Sequence, residues 1–557
     1  MAQPGPDADV AGVGGTGISF LVVEQVPILA IENLTYCYPE SPVPALRNVN
    51  LQVAEGEFVV VAGASGSGKS TLARASAGLI PHFYGGSFTG RVLLAGRDTT
   101  GCCPAELAET VGMVFQDPDN QLFMTRVENE LAFGLENINL PPEQIRLRLA
   151  ETCFAFGLQD LLGKEVGHLS SGQKQRLALA AVCAMRPRLL VLDEPTAQLD
   201  PVRAGETIAI LARLQREHGM TIVLIEKRWE HCLPYAERVL LMEGGRLALA
   251  APPRAALRHM CGSSLALVGP FYQLFERWEG GLNGEFPLTV NEGRRLLQGR
   301  VKAPAMAPPV PAPSQAEKFV ELQKFWYAYP DGTEALRDVS LTIGRGELVA
   351  VLGENAAGKS TLLRVLCGLG LPARGKVRLG DEALSGPVPG VGYLPQQVLD
   401  YLVAERVRDE IAAGEWIERF GLESFLDRHP RDLSAGERQR AALAAVLSRQ
   451  AKLLLLDEPT CGLDYGYKTV LAQSLRELAA EGVTTLVVTH DLEFVAAAAE
   501  RVIFLSQGRL VFDGSTQEAF AQAGMVTPQL TRLFAGFGFV VTDLTQAMAA
   551  LRGDEVN

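Results

Sequence analysis

Several short segments of this chain occur twice in the same order, and this repetition limits what the chain can fold into. The segment Gly63-Ala-Ser-Gly-Ser-Gly-Lys-Ser-Thr-Leu returns as Gly353-Glu-Asn-Ala-Ala-Gly-Lys-Ser-Thr-Leu. The other pairs are Tyr36-Cys-Tyr-Pro with Tyr327-Ala-Tyr-Pro, Ala45-Leu-Arg-Asn with Ala335-Leu-Arg-Asp, Leu169-Ser-Ser-Gly with Leu433-Ser-Ala-Gly, and Leu192-Asp-Glu-Pro with Leu456-Asp-Glu-Pro. Two copies of one domain are therefore fused, and we call them copy one and copy two.

The number of residues between matching positions of the two copies is not constant along the chain. It falls from 290 residues at Lys69 and Lys359 to 264 at Ser170 and Ser434, so copy two is shorter in this region. Of the missing residues, 16 lie between Gln396 and Ser434. We predict a disordered or extended lead (1–28), domain 1 (29–253) with a C-terminal appendage (254–300), a proline-rich linker (301–317), domain 2 with a shortened helical subdomain (318–520), and a second appendage (521–557).

Composition excludes some classes of function. The net charge of −13 disfavours a general nucleic-acid coat, which needs a basic face, although a local basic patch stays open. No apolar run reaches the roughly 20 residues that span a bilayer, so we expect any membrane role to act through a partner. The nine cysteines have no CxxC pair and no metal-ligand spacing, which favours reduced thiols.

The glycine-rich segments follow apolar runs, Phe58–Val61 and Leu348–Leu352, that are typical of buried parallel strands. Strand, GxxxxGK[ST] and helix form a phosphate-binding P-loop, in which backbone amides and the lysine hold phosphate oxygens and the serine binds Mg²⁺. The phosphate-binding candidates are Gly63, Ser65, Gly66, Gly68, Lys69, Ser70 and Thr71 in copy one, and Gly353, Asn355, Gly358, Lys359, Ser360 and Thr361 in copy two.

A second apolar run in each copy ends in adjacent acids. Asp193 and Asp457 fit the Mg²⁺ shell, because the carboxyl end of a parallel strand lies beside the P-loop crevice. Glu194 and Glu458 fit a general base, or a group that orients the water attacking the γ-phosphate.

The Leu-Ser segments are the most specific feature of the repeat. Ser170 and Ser434 are predicted to cap the apolar-periodic helices that follow, and each precedes its Asp-Glu pair by 23 residues. P-loop, Leu-Ser segment and Asp-Glu pair together resemble the ABC (ATP-binding cassette) ATPase family over roughly residues 30–250 and 318–520. The resemblance implies an α/β fold with two P-loop NTPase domains, each with an antiparallel β part, a parallel-sheet core and a helical subdomain, and with ATP and Mg²⁺ as cofactors.

In that family a nucleotide lies between the P-loop of one cassette and the Leu-Ser segment of the other. The resemblance therefore implies an internal pseudo-dimer with two composite sites. Site one combines Lys69, Ser70, Gln116, Asp193 and Glu194 with Ser434, Gly436 and Glu437, and site two combines Lys359, Ser360, Gln396, Asp457, Glu458 and His490 with Ser170, Gly172 and Gln173. Gln116 and Gln396 would join the Mg²⁺ shells, while Asp200 and Asp464 match the loop that links the sites.

Two aromatic residues match the family's adenine-stacking position. They are Tyr38 and Tyr329, and the alternative is that each is a core tyrosine at a strand end.

The two sites are predicted to differ. His490 matches the family's switch histidine, but copy one has Lys227 at that position. Lysine stays protonated near pH 7 and cannot accept a proton as imidazole does, so we expect site two to perform most of the turnover. The alternative is that Lys227 substitutes adequately because Glu194 carries the chemistry.

The Leu-Ser segments also depart from the family pattern, since Ser171 and Ala435 stand where glycine is usual. Glu437 replaces glutamine, which would slow site one if its carboxylate faces the nucleotide.

A further resemblance concerns transport. Segments 115–123 and 125–134 look like the Q-loop region of energy-coupling factor (ECF) transporter ATPases. Both appendages resemble the C-terminal extension of these ATPases, which helps hold two cassettes together. The alternative interpretation of the appendages is extra core packing. The resemblance implies an ATPase at the cytoplasmic face of the membrane that energises an importer for a vitamin, a vitamin precursor or a transition metal ion. Its partners would be a transmembrane coupling subunit and a substrate-binding membrane subunit, with no nucleic acid. The alternatives are a soluble twin-cassette ATPase acting on ribosomes or DNA, and a non-hydrolysing regulatory pair, which Glu194 and Glu458 disfavour.

Overall fold

The computed structural model describes residues 26–552 apart from 40, 42, 198, 264–266, 279–284, 303–316, 371 and 523–526. The predicted lead (1–28) and linker (301–317) lie almost wholly outside the described residues. The other predicted domain limits stay predictions.

Copy one runs from the first strand to the helices of its appendage. Its strands are β1 (Leu29–Cys37), β2 (Leu46–Val53), β3 (Phe58–Ala62), β4 (Ser87–Leu94), β5 (Arg97–Asp98), β6 (Val111–Val114), β7 (Leu189–Asp193), β8 (Thr221–Ile225), β9 (Arg238–Glu243) and β10 (Arg246–Ala251). Its helices are α1 (Lys69–Ser76), α2 (Pro104–Leu107), α3 (Val127–Asn137), α4 (Pro142–Phe156), α5 (Ser171–Met185), α6 (Pro201–His218), α7 (Pro253–Ser263), α8 (Pro270–Arg277) and α9 (Val290–Leu297).

Copy two repeats this order. Its strands are β11 (Lys318–Ala328), β12 (Glu334–Gly344), β13 (Leu348–Gly353), β14 (Arg374–Leu379), β15 (Glu382–Ala383), β16 (Val391–Leu394), β17 (Leu453–Asp457), β18 (Thr484–Val488), β19 (Arg501–Ser506) and β20 (Arg509–Ser515). Its helices are α10 (Lys359–Leu366), α11 (Val407–Glu410), α12 (Glu415–Arg419), α13 (Ala435–Leu447), α14 (Tyr465–Ala480), α15 (Leu492–Ala498), α16 (Thr516–Gln522), α17 (Gln529–Ala535) and α18 (Leu544–Arg552).

Each copy contains a small antiparallel sheet and a larger, mainly parallel one. The small sheets have the strand orders β2-β1-β4-β5 and β12-β11-β14-β15. The large sheets have the orders β10-β9-β3-β8-β7-β6 and β16-β17-β18-β13-β19-β20, with β10 and β20 as antiparallel edges. This arrangement confirms the predicted fold class.

The large sheets place the chemistry-bearing segments together. Every residue of β3 and β7 is buried, as expected for apolar strands covered on both faces. Both strands pair in parallel with β8, so their carboxyl ends meet at one edge of the sheet. The P-loop follows β3 and the Asp-Glu pair closes β7, which brings both to the same crevice.

The helical segments of the two copies differ in size. In copy one, α3 and α4 have 11 and 15 residues and pack beside α5. In copy two, α11 and α12 have 4 and 5 residues and pack beside α13. The 16 residues that copy two lacks between Gln396 and Ser434 therefore correspond to the greater length of these two helices in copy one.

The appendages of the two copies pack against each other. Helix α9 lies against α17, and α8 lies against α18. Phe271 and Leu274 of the first appendage share one buried cluster with Leu533 and Phe534 of the second. We call α8, α9, α17 and α18 the appendage bundle. In the part of the chain that the structure describes, no helix has the length and hydropathy to cross a bilayer.

Candidate functional site

Glycine shapes both P-loops. Gly68 and Gly358 cap α1 and α10 with φ of +99° and +96°, in the left-handed region that glycine adopts without strain. At Gly63 a Cβ atom would collide with the Met242 carbonyl, so only glycine allows this approach to β9. Ala356 has φ of +65° where copy one has Gly66, so the P-loop of copy two keeps the same turn at some cost in strain.

The P-loop lysines lie inside their own loops. Lys69 Nζ donates to the carbonyls of Gly63 and Ala64 at 2.8 and 2.7 Å, and Lys359 Nζ donates to those of Gly353 and Glu354 at 2.9 and 2.8 Å. Burial lowers the pKa of Lys69 to about 8, with the charge of Lys227 acting in the same direction. Both ammonium groups are held where a nucleotide's β- and γ-phosphates would bind.

The first acid of each Asp-Glu pair meets the requirements of a Mg²⁺ ligand. Asp193 and Asp457 are hydrogen-bonded by Ser70 and Ser360, and the Oδ1 atom of each aspartate is buried without a hydrogen-bond partner among the described residues. Burial raises the pKa of Asp193 to about 6, with Glu194 adding to the rise. A buried carboxylate oxygen beside a serine hydroxyl fits a hard divalent cation.

The second acid of each pair has an unusual backbone conformation. Glu194 and Glu458 have φ of +52° and +50°, which is rare outside glycine and concentrates at functional sites. Gln116 Nε2 donates to Glu194 Oε2 at 2.9 Å. Burial raises the pKa of Glu458 to about 8, with the charge of Asp457 acting in the same direction, so this carboxylate binds a proton more tightly than an ordinary glutamate does.

The residues at the switch position contact these acids differently. Lys227 Nζ lies 3.0 Å from Glu194 Oε1 and also donates to the Gly462 carbonyl of copy two at 2.8 Å. Burial lowers the pKa of Lys227, but Glu194 outweighs it and leaves that pKa above its ordinary value. Lys227 is therefore a fixed cation bound to the acid.

His490 is held as a neutral imidazole. Its backbone N–H donates to Glu458 Oε2 at 3.2 Å, and its Nε2 lies 3.1 Å from Asn355 Oδ1. Burial lowers the pKa of His490 to about 3, and the charge of Lys359 acts in the same direction. With the proton on Nε2, the ring donates toward the P-loop side of site two.

The Leu-Ser segments form the helix caps that the sequence predicts. Ser170 Oγ and Ser434 Oγ accept from the backbone N–H of Gln173 and Glu437, whose side chains accept in return from the serine N–H groups. These capping boxes fix the N-termini of α5 and α13.

At site one, the P-loop of copy one faces the Leu-Ser segment of copy two. A Cβ on Gly436 would lie 2.9 Å from Ser65 Oγ, and a Cβ on Gly66 would lie 3.4 Å from Glu437 Oε1. Ser65 N donates to Asp464 Oδ2 at 3.3 Å. The Glu437 carboxylate therefore faces this P-loop.

At site two, the opposite pairing encloses a cavity of about 410 Å³. From copy one come Ser170, Ser171 and Gly172, together with Glu194 and Lys227, which the sequence assigns to site one. From copy two come the predicted site residues Tyr329, Asn355, Gly358, Lys359, Ser360, Thr361, Gln396, Asp457, Glu458 and His490. The cavity thus joins two distant parts of the sequence.

The two predicted adenine-binding tyrosines are half-buried. Tyr38 OH lies 3.2 Å from Thr71 Oγ1 and accepts from Arg74 at 2.6 Å, while Tyr329 OH lies 2.9 Å from Thr361 Oγ1. Each ring is therefore tied to the helix that follows its P-loop, and the role in adenine stacking stays a prediction.

Sequence reasoning missed several residues of the cavity wall. Arg228, Glu226 and Cys461 line site two, and Arg228 has no side-chain hydrogen bond or ion pair among the described residues. The equivalent of Arg228 in copy two is Asp491, whose Oδ2 lies 2.6 Å from Lys468 Nζ. A comparison of the two copies one residue beyond the switch position would have shown this reversal of charge.

Comparisons with known proteins agree with this geometry. A family model described as ABC transporter matches residues 46–197 and 336–461, one range in each copy. A Streptomyces coelicolor protein described as "Putative ABC transporter ATP-binding protein" is 39% identical over 91% of this chain and 97% of its own length. A Bacillus subtilis protein described as "Putative HMP/thiamine import ATP-binding protein" is 34% identical over 89% of this chain and 93% of its own length.

A solved structure that matches across both copies of this chain is also similar. The archaeal ribosome recycling factor, in complex with the ribosomal stalk protein, matches with a TM-score of 0.58 and 20% identity over 91% of this chain and 92% of that one. At this identity the likeness concerns the fold.

Proposed function

Because this chain belongs to the family of ABC transporter ATP-binding proteins, we propose that it is the ATPase subunit of an ECF-type importer. It is an ATPase with two cassettes and uses ATP with Mg²⁺. The proposed cargo is a vitamin, a vitamin precursor or a transition metal ion. The proposed partners are a transmembrane coupling subunit and a substrate-binding membrane subunit, which would hold the chain at the cytoplasmic face of the membrane.

The observation that carries this proposal is a group of exposed apolar side chains on the helical segment of copy one. Phe123, which follows Gln116 by seven residues, is 61% exposed; Leu147 and Phe154 of α4 are 60% and 79% exposed. Three large apolar side chains exposed on one helical segment are the kind of surface that an apolar partner would cover. We assign this surface to a coupling helix of the membrane subunit.

Copy two offers a different surface at the equivalent place. Val403, in the short segment after Gln396, is 84% exposed, while α11 and α12 are shorter than α3 and α4. A membrane subunit with two unlike coupling helices would fit two unlike surfaces. The description of the Bacillus subtilis relative as an HMP/thiamine importer component also supports the import of a vitamin or precursor.

In the proposed cycle, binding of ATP draws the two copies together and the residues of this chain then act in turn. The P-loop amides and Lys359 hold the triphosphate, and Ser170 closes it from the other copy. Glu458 accepts a proton from the attacking water, while His490 donates toward the γ-phosphate. Mg²⁺, bound through Asp457 and Ser360, would neutralise charge on the phosphates. Reopening then returns the membrane partner to its first state.

The same residues support unequal sites. Glu458 meets a neutral imidazole, whereas Glu194 is bound to the Lys227 ammonium at 3.0 Å. The Lys227 ammonium occupies Glu194 Oε1, and Glu437 adds a negative charge near the P-loop of site one. We therefore propose that site two performs most of the hydrolysis.

Membrane association tests the transport proposal. Phe123→Asp and Phe154→Asp should abolish sedimentation of the tagged chain with cell membranes, because a charge in the apolar surface opposes docking. The ATPase rate of the purified variants should stay close to wild type. Val511→Asp is the control, since Val511 is 58% exposed on β20, an edge strand of the large sheet of copy two. Unchanged membrane binding in both phenylalanine variants, or cosedimentation of the wild type with ribosomal RNA instead, would refute the importer.

A further inference from the structure

An acidic side chain follows each switch residue by three positions. Glu230 follows Lys227 in the 3₁₀ turn Trp229–Cys232, and Glu493 follows His490 in α15. Three residues, which include the switch residue, separate the strand that ends at the nucleotide site, β8 or β18, from the turn or helix that carries the acid. Two residues therefore separate the switch residue from the acid in each copy.

Each acid holds the start of an appendage helix. Glu230 Oε1 accepts from the backbone N–H of Gly269, the N-cap of α8, at 3.2 Å. Glu493 Oε1 accepts from the N–H of Gln529, the first residue of α17, at 2.7 Å. The same bond thus occurs in both copies, although the sequences around it differ.

Other contacts tie the turn of copy one to this region. Trp229 Nε1 donates to the Leu267 carbonyl at 3.3 Å, just before α8. The Gln529 side-chain amide lies 3.4 Å from His231 Nδ1, so the turn of copy one also contacts the appendage of copy two. A cavity of about 90 Å³ lies among these residues and leaves room for the turn to shift.

At the nucleotide end, the switch residues touch the acids that carry the chemistry. Lys227 pairs with Glu194, and the His490 N–H donates to Glu458. At the other end, α8 and α17 belong to one bundle with a shared buried core. An unbroken path of contacts therefore leads from each ATP site to the place where the two copies are joined.

We propose that Glu230 and Glu493 are positioning residues that couple the two nucleotide switches to the appendage bundle. A change at either γ-phosphate site shifts the switch residue, and the acid transmits this shift to α8 or α17. Because the bundle is shared, each site then senses the other through it. The coupling is as large as the difference in strength of these hydrogen bonds between the nucleotide-free and the nucleotide-bound state.

Hydrogen exchange on the full-length chain tests this coupling without any membrane partner. In the wild type, AMP-PNP with Mg²⁺ should slow exchange of α9 and α17 relative to the nucleotide-free chain. Glu493→Ala should reduce this slowing by about fivefold, the change expected for one lost hydrogen bond. Glu493→Gln should preserve it, since an amide oxygen also accepts the Gln529 N–H. The decisive readout is α9, which Glu493 does not touch.

A matched control separates coupling from loss of stability. Glu518 also accepts from a backbone N–H, that of Ser515 at 3.0 Å, but lies outside the path. Glu518→Ala should therefore leave the nucleotide-dependent slowing unchanged. If Glu493→Ala proves too unstable to label, Glu230→Ala breaks the equivalent bond in copy one. Full slowing of α9 in these variants, or no slowing in the wild type, would overturn the proposal, and neither result bears on the importer.

Discussion

Lys227 and His490 occupy the same position in the two copies, and their side chains make the two ATP sites chemically different. Lys227 forms an ion pair with Glu194, while neutral His490 leaves Glu458 as a base whose pKa is raised to about 8. Charge and protonation at this one position therefore separate two otherwise similar constellations.

The first prediction compares the two acids. Glu458→Gln should lower the steady-state ATPase rate at least tenfold, because removal of a general base costs two or more orders of magnitude at the site concerned. Glu194→Gln should lower it less than about twofold, since site one contributes little. Equal losses in the two variants would refute unequal sites.

The second prediction concerns Glu226, which copy two replaces by Thr489. Burial raises the pKa of Glu226 to about 7 from 4.5. The unfolded chain loses this proton near pH 4.5 and the folded chain near pH 7, so stability falls as pH rises between these values and stays lower above pH 7.

Glu226→Gln removes this titration. The variant should gain stability relative to the wild type between pH 5 and pH 8, by up to about 3 kcal/mol. Thermal unfolding at both pH values measures this gain. The exposed Glu217→Gln should show no such pH-dependent difference, and a constant difference for Glu226→Gln would contradict the assignment.

At the scale of elements, α9 and α17 pack against each other and join the two appendages. A Cβ on Gly293 would lie 3.1 Å from Leu533 Cδ1 and from Phe275 Cζ, so glycine allows this approach. The Arg294 guanidinium donates to carbonyls at the end of α17, which adds a polar bond to the apolar contact.

The third prediction follows from this packing. Gly293→Leu should destabilise the chain by about 1–3 kcal/mol, because the added side chain separates α9 from α17. Chemical denaturation measures the loss. Gly262→Leu in α7 is the control, since no described atom lies within 4 Å of its added Cβ. If Gly293→Leu proved as stable as this control, separating α9 from α17 would not lower the free energy of unfolding, which contradicts the prediction.

At the scale of the whole molecule, the two copies meet so that each P-loop faces the Leu-Ser segment of the other. Site one brings Ser65 beside Gly436, and site two brings Ser170 to the P-loop that contains Lys359. Each site therefore requires residues from both ends of the chain.

The fourth prediction tests this exchange by combining variants. Ser170→Ala should lower the ATPase rate of the wild type and of Glu194→Gln by about tenfold, because it removes a hydroxyl donor from site two, the more active site. It should add little to Glu458→Gln, in which site two is already inactive. Ser434→Ala should have a smaller effect than Ser170→Ala in the wild type. Additive losses in Ser170→Ala with Glu458→Gln would place Ser170 outside site two.

The sequence by itself determined the repeat, the fold class, the two P-loops, the helix caps at Ser170 and Ser434, and the difference between Lys227 and His490. These features depend on residue type and local spacing, which the chain carries directly. Only the tertiary structure decided that Glu437 faces a P-loop, that Arg228 lines the opposite site, and that Glu230 and Glu493 hold the appendage helices. These contacts join residues tens to hundreds of positions apart, and their geometry is fixed by how the sheets and the appendage bundle pack.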